Sequence, residues 1–175
     1  MKRLLYGVCM VVILAAFAVP LVAQRNPRGK AALTLGGKSA ARVEYGRPSL
    51  KGRTIDAMLG ELAPGQVWRL GADTSTTFSA DSDLVVGGTP IPKGDYSIWA
   101  RKEADNSWKL VFNKQHGQWG TEHDSAQDLA AVPLKQEKAA KSEETLSLVL
   151  AQHGTSGVFS ILWGDMQLTA DIKAK

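Results

Sequence analysis

An all-β, single-domain antiparallel β-sandwich with one short helix after the first strands is the fold this sequence predicts, on three observations. Apolar and polar residues alternate at period two through most of the chain, the spacing that sends neighbouring side chains to opposite faces of a sheet. Clusters of Gly, Pro, Asn and Asp interrupt the alternation at roughly ten-residue spacing, as hairpins require. Only one short stretch carries a helical period instead.

The elements follow in order. Residues 1–23 run from a basic start, Lys2 and Arg3, through an apolar stretch to Val22, the pattern of an export signal. Cleavage after Ala23 is expected, with an earlier A-x-A at Ala16 and Ala18 as the other choice. Leu4 to Val22 is also about long enough to span a bilayer, but Pro20 and the small residues after it favour processing. The single cysteine, Cys9, lies inside the signal, so the exported chain has no disulfide. No second apolar run of that length follows, and no membrane span is expected after cleavage. Residues 24–39 read as a basic N-terminal arm, and residues 40–175 as the sandwich domain, long enough to bury its own core.

Within that domain Ile55, Met58, Leu59 and Leu62 fall at i, i+3, i+4 and i+7, with Thr54 as a cap and Ala63-Pro64-Gly65 as a stop. One or two helical turns are expected there. Gly87-Gly88 suits a hairpin, Pro92 to Asp95 a tight turn, and Asp105-Asn106 a break between strands. Tyr96, Ile98 and Ala100 share one face, Ser97, Trp99 and Arg101 the other. Trp108, Leu110 and Phe112 alternate in the same way, as do Leu146, Leu148 and Leu150, and Met166, Leu168, Ala170 and Ile172. Residues 153–157 and Gly164-Asp165 divide the last three strands of an expected eight to ten. Residues 134–146 suit either a surface helix with a Glu137–Lys141 pair or a strand end followed by a solvated loop, and the β surroundings favour the second.

The formal charge of +4 is unevenly spread. Between residues 24 and 55, eight Lys and Arg face Glu44 alone, whereas residues 56–175 carry 11 basic and 16 acidic groups. Such asymmetry reads as a basic region that neutralises its own acidic body or meets an anionic surface. The aromatic residues are not interleaved with these charges, and nucleic acid is not an expected partner.

Several stretches together resemble a known family. "VEYGRPSLKGR", "GQVWRLGADTSTTFS", "VGGTPIPKGDYSIWA" and "VFNKQHGQWG" are similar in order and spacing to the exported bacterial family called domain of unknown function 2911, over about residues 40–172. The resemblance implies a β-sandwich and no assigned activity. Tyr45, Pro48, Trp68, Gly71, Ala72, Thr77, Gly94, Tyr96 and Gly120 are read as its structural positions. After Trp119-Gly120 the family continues with an aromatic residue and an Asp, where this chain has Thr121-Glu122-His123-Asp124, so His123 takes no family role.

Arg69 sits between Trp68 and Leu70 in a stretch that reads as extended. Burying an indole removes about 150–250 Å² from water, so Trp68 and Leu70 should face the core and Arg69 the opposite side. A guanidinium there is costly if buried without a partner. It should either pair with Asp73, Asp56 or Glu61, pinning the excursion of residues 46–66 to the sheet, or stand open as a ligand for anions or sugar hydroxyls. Arg47, beside Pro48, has the same two readings. The polar loop 112–124 carries His116 and offers Trp119 to stack on a sugar, flanked by the Asn113 and Gln118 amides to hydrogen-bond it.

No metal site and no cofactor are expected: His116 and His123 are seven apart, a spacing that matches no known ligand pattern, and no G-x-S-x-G elbow is present. The leading reading is an exported, periplasmic or secreted, non-catalytic protein that binds a glycan or other cell-envelope component. The alternative is an envelope structural or protein-interaction module. An enzyme using the 112–124 loop comes third and would need His116, His123 and a carboxylate within about 3–5 Å of one another. Oligomeric state is not legible at this level.

Overall fold

The computed structural model describes residues 26–175, and the expected leader of residues 1–23 lies outside them. The strands are β1 Arg28–Leu35, β2 Lys38–Gly46, β3 Val67–Trp68, β4 Thr77–Ala80, β5 Leu84–Val86, β6 Thr89–Ile91, β7 Gly94–Lys102, β8 Trp108–Asn113, β9 Asp128–His153 and β10 Ser156–Ala174. Helix α1 spans Ile55–Leu59, and a 3₁₀ turn spans Ser125–Gln127. Hydrogen-bonded neighbours run β1-β2-β4-β7-β8-β9-β10-β5-β6, with β3 added beside β7. Every pairing is antiparallel.

Strand β9 joins the two layers. Its first residues, Asp128 to Leu134, pair with β8, and from Lys135 to His153 it pairs with β10. One layer is therefore β1-β2-β4-β7-β8 with the start of β9, and the other is the rest of β9 with β10, β5 and β6. Period-two burial fills the space between: Phe78 on β4 meets Phe159 on β10 edge to face at 6.3 Å, and Trp68 on β3 stacks on Trp163 of β10 at 5.5 Å and 12°. Tyr45 binds the layers by hydrogen bonds, its hydroxyl accepting from the Leu148 amide at 2.9 Å. The Gly87-Gly88 hairpin forms, both residues at positive φ. Helix α1 begins at Thr54, whose Oγ1 accepts from the Ala57 amide at 3.2 Å. Ile55 is buried, and Met58, Leu59 and Leu62 pack against the core.

Four features differ from the pattern in the sequence. Part of the basic stretch 24–39 takes part in the sheet as β1, with Arg28 and Lys30 both reaching Glu44 on β2, at 3.5 and 3.3 Å. Residues 134–146 are not a strand end followed by a loop; β9 continues through them, held to β10, although few of its side chains there are buried. Gly164-Asp165 does not separate two strands either. Gly164 takes a φ of 60°, and β10 passes through as a bulge, with Leu162, Gly164 and Met166 facing Ser147, Glu143 and Lys138. The surplus residues lie on β9, and a glycine that can turn without breaking the ladder absorbs the mismatch. Finally, Tyr96 to Ala100 of β7 are buried on both faces, because the chain after β8 folds over the outer side of the sheet.

Candidate functional site

The outer face of β7 and β8 is covered by two segments that hold each other. After Trp68 the backbone leaves the strand: Leu70 has a φ of 47° and Asp73 of 64°. Trp68 and Leu70 are both buried, as the alternation predicts, but Leu70 reaches the core from a turn rather than from extended chain. The Thr76 hydroxyl donates to the Leu70 carbonyl at 2.8 Å and closes that turn. Gly71 and Gly46 let it pack closely, since a Cβ at Gly71 would lie 2.7 Å from Thr76 Oγ1 and one at Gly46 would lie 2.2 Å from the Ala72 carbonyl oxygen.

The loop after β8 docks on this turn by main-chain bonds. The Gly120 amide donates to the Asp73 carbonyl at 2.8 Å, the Ser75 amide to the Gln118 carbonyl at 2.9 Å, and Thr74 and Trp119 form a bridge. Side chains continue the connection inward. Ser75 Oγ donates to Gln118 Oε1 at 3.2 Å, and Ser97 Oγ accepts from Gln118 Nε2 at 3.2 Å and from Trp99 Nε1 at 2.9 Å. Asn113 is fully buried, its amide nitrogen donating to the Asp124 carbonyl at 2.7 Å and to Asp128 Oδ1 at 2.8 Å. Asp128 Oδ1 also shares a 2.9 Å hydrogen bond with His123 Nε2, and the His123 ring lies 4.9 Å from that of Trp99. These bonds satisfy the buried polar atoms of the loop, so a segment without regular structure is held as firmly as a strand.

The candidate residues from the sequence separate into two groups. Trp119 is 48 % exposed, and it stands on the pinned part of the loop. Arg69 packs against the next residue of that loop: a Cβ at Gly120 would be 3.0 Å from Arg69 Cδ. Among the described residues Arg69 forms no ion pair, so it does not pin the 46–66 excursion through Asp73, Asp56 or Glu61. Strand β9 does that instead, with the Leu50 amide donating to the Glu144 carbonyl at 2.9 Å and the Leu146 amide to the Pro48 carbonyl at 3.0 Å. Asp73 is turned to Asn26, whose amide it accepts at 3.0 Å.

Arg47 is engaged elsewhere, its Nε donating to the Leu146 carbonyl at 3.3 Å and its Nη2 to Ser147 Oγ at 3.5 Å, while Asn113 is enclosed by its own bonds. His116 is exposed and takes no part in the His123–Asp128 pair, so one histidine and one carboxylate meet where the enzymatic reading needs two histidines and a carboxylate. Ser97, Trp99 and Asp128 were not singled out as site residues in the sequence. Their signal was there in part, since Ser97 and Trp99 share the outer face of β7, but a face reads as wet until the loop covering it is known.

No helix among the described residues is long and apolar enough to cross a membrane. No curated protein and no solved structure matches the chain. A family model, described as "Protein of unknown function (DUF2911)", matches residues 26–172, nearly the whole of the described chain. The outer-face turn, its docked loop and the sandwich beneath them thus belong to a member of the DUF2911 family.

Proposed function

We propose that this protein is an exported, non-catalytic binding module that recognises a glycan or another cell-envelope component through Trp119. The observation that carries the reading is an indole, 48 % exposed, on a loop whose flanking main chain is hydrogen-bonded to the underlying turn. An exposed tryptophan offers a large flat face at low conformational cost, and fixing its backbone in advance lowers the ordering penalty of binding. Arg69, without an ion-pair partner among the described residues, packs against the adjacent Gly120 and supplies a cation on the same loop junction for an acidic sugar or a hydroxyl. The test is a panel of immobilised glycans and envelope polysaccharides probed with the full chain. Trp119→Ala should weaken any interaction found by roughly tenfold or more, the cost of about 1.4 kcal/mol. Arg69→Gln should weaken anionic ligands selectively. An interaction unaffected by Trp119→Ala would remove this site from the reading.

A further inference from the structure

A concave surface to which Trp119 does not contribute lies at the end of the sandwich under α1. Its volume is about 530 Å³, within the usual range of small-molecule sites, about 300–1,000 Å³. Three elements supply its apolar floor. Helix α1 gives Ile55 and Leu59, the start of β8 gives Trp108, and the bulged part of β10 gives Met166. These four make an apolar floor. The bulge shapes it: with Gly164 at a φ of 60°, Ile55 packs so close that a Cβ on Gly164 would lie 3.2 Å from Ile55 Cβ. Behind the floor the aromatic packing continues, Trp108 edge-on to Trp68 at 6.4 Å and Trp68 stacked on Trp163. Trp163 Nε1 is buried and has no hydrogen-bond partner among the described residues.

Charges of both signs rim this floor. Asp56 on α1 and Asp165 in the bulge are acidic, and Lys102 and Lys138 are basic. None of the four makes an ion pair among the described residues, whereas Glu137 on the same rim is held by Lys135 at 2.7 Å. A ligand with one sign of charge would gain from one pair and be repelled by the other. A zwitterion gains from both, and an apolar side chain on it would cover Leu59 and the edges of Trp108 and Met166 that the fold leaves exposed.

We propose that this cleft binds a short zwitterionic peptide, with its ammonium toward Asp56 and Asp165, its carboxylate toward Lys102 and Lys138, and an apolar side chain on the Trp108–Met166 floor. The site needs no contribution from Trp119, so the two readings fail separately. The experiment titrates the full-length Trp119→Phe protein, which keeps the interior indoles as reporters, with the dipeptide Leu-Phe and with its N-acetylated and C-amidated forms, read by tryptophan fluorescence. The expected result is saturable binding of the free dipeptide with a dissociation constant of about 1 mM or tighter, weakened roughly tenfold by blocking either end. Asp56→Asn/Asp165→Asn should abolish the penalty for acetylation and Lys102→Gln/Lys138→Gln that for amidation. No saturable response to the free dipeptide would overturn the proposal. So would equal affinity for the free and blocked forms, which needs no variant to fold, and so would discrimination that survives in both double variants.

Discussion

Leu70 shows how much of the outer-face turn depends on single residues. A side chain with a branched γ-carbon at a φ of 47° costs about 1–2 kcal/mol against the extended or helical alternatives. Complete burial of the same side chain returns more than that, about 1.5–3 kcal/mol. The balance holds only while Gly46, Gly71 and Thr76 can close around it, which is the physical reason the Trp68-to-Thr77 stretch needs small residues at fixed places. Gly46→Ala is the direct probe. A methyl group there would sit 2.2 Å from the Ala72 carbonyl oxygen, a main-chain atom that cannot rotate away. Overpacking of this kind costs about 1–3 kcal/mol or more, a fall of roughly 4–8 °C in Tm at 2 kcal/mol for a chain of this size. Differential scanning calorimetry showing Gly46→Ala within 1 °C of the wild type would mean that the turn is not closed in this way.

Between elements, the excursion from β2 through α1 is fastened to β9 by Glu144. Its carboxylate accepts from Ser49 Oγ and from the Lys51 amide at 2.7 Å. These bonds, the Ser49 hydroxyl first, hold the Glu144 pKa below the usual glutamate value. A carboxylate with a depressed folded pKa contributes stability that is complete above its unfolded value and is lost as pH falls through the folded one. Asp81, lowered mainly by its hydrogen bonds to Arg42 and Ser39, acts with the same sign. Comparison with Glu144→Gln separates the two: the variant should melt below the wild type near pH 6, and the gap should close as pH drops well below 4.5, where Glu144 itself takes up a proton. No gap at any pH would assign the fastening to the main-chain bonds alone.

The sequence was clearest where burial is on one side. Leu146, Leu148 and Leu150, or Met166 to Ile172, alternate because one face of β9 and β10 meets the core, and helix α1 carried its Thr54 cap, although it closes at the C-cap Gly60, before the expected Ala63-Pro64-Gly65 stop. It was least clear where pairing continues without burial. Residues 135–145 of β9 expose most of their side chains, so nothing in their hydropathy marks a strand, and backbone pairing with β10 and with residues 49–50 keeps them extended. The site divides in the same way. Trp119 and Arg69 could be picked out by residue type, whereas the cleft under α1 depends on a bulge whose mismatch is a property of two strands at once.

Over the whole molecule, the fold encloses four of the five tryptophans and leaves one exposed. Trp68, Trp99, Trp108 and Trp163 are each no more than 8 % exposed, while Trp119 is 48 % exposed. They are enclosed for different reasons. Trp68, Trp108 and Trp163 form one interlayer stack, and Trp99 lies outside the layers beneath the docked loop, against His123. Collisional quenching by acrylamide distinguishes these environments in a single measurement. In the native protein it should reach Trp119 foremost and, through the cleft under α1, the exposed edge of Trp108, giving a downward-curving Stern–Volmer plot, and Trp119→Phe should remove most of the accessible fraction. Replacing Ser97 with Ala breaks the hydrogen bonds from Gln118 and Trp99, each worth about 0.5–1.5 kcal/mol net. If the loop depends on that junction, Ser97→Ala in the Trp119→Phe background should make Trp99 newly quenchable while the interlayer stack stays protected. Quenching that instead rose at all four interior indoles would show that the loop and the sandwich open together as one cooperative unit, and quenching that did not change would place the loop's anchorage in its main-chain bonds to residues 73–75.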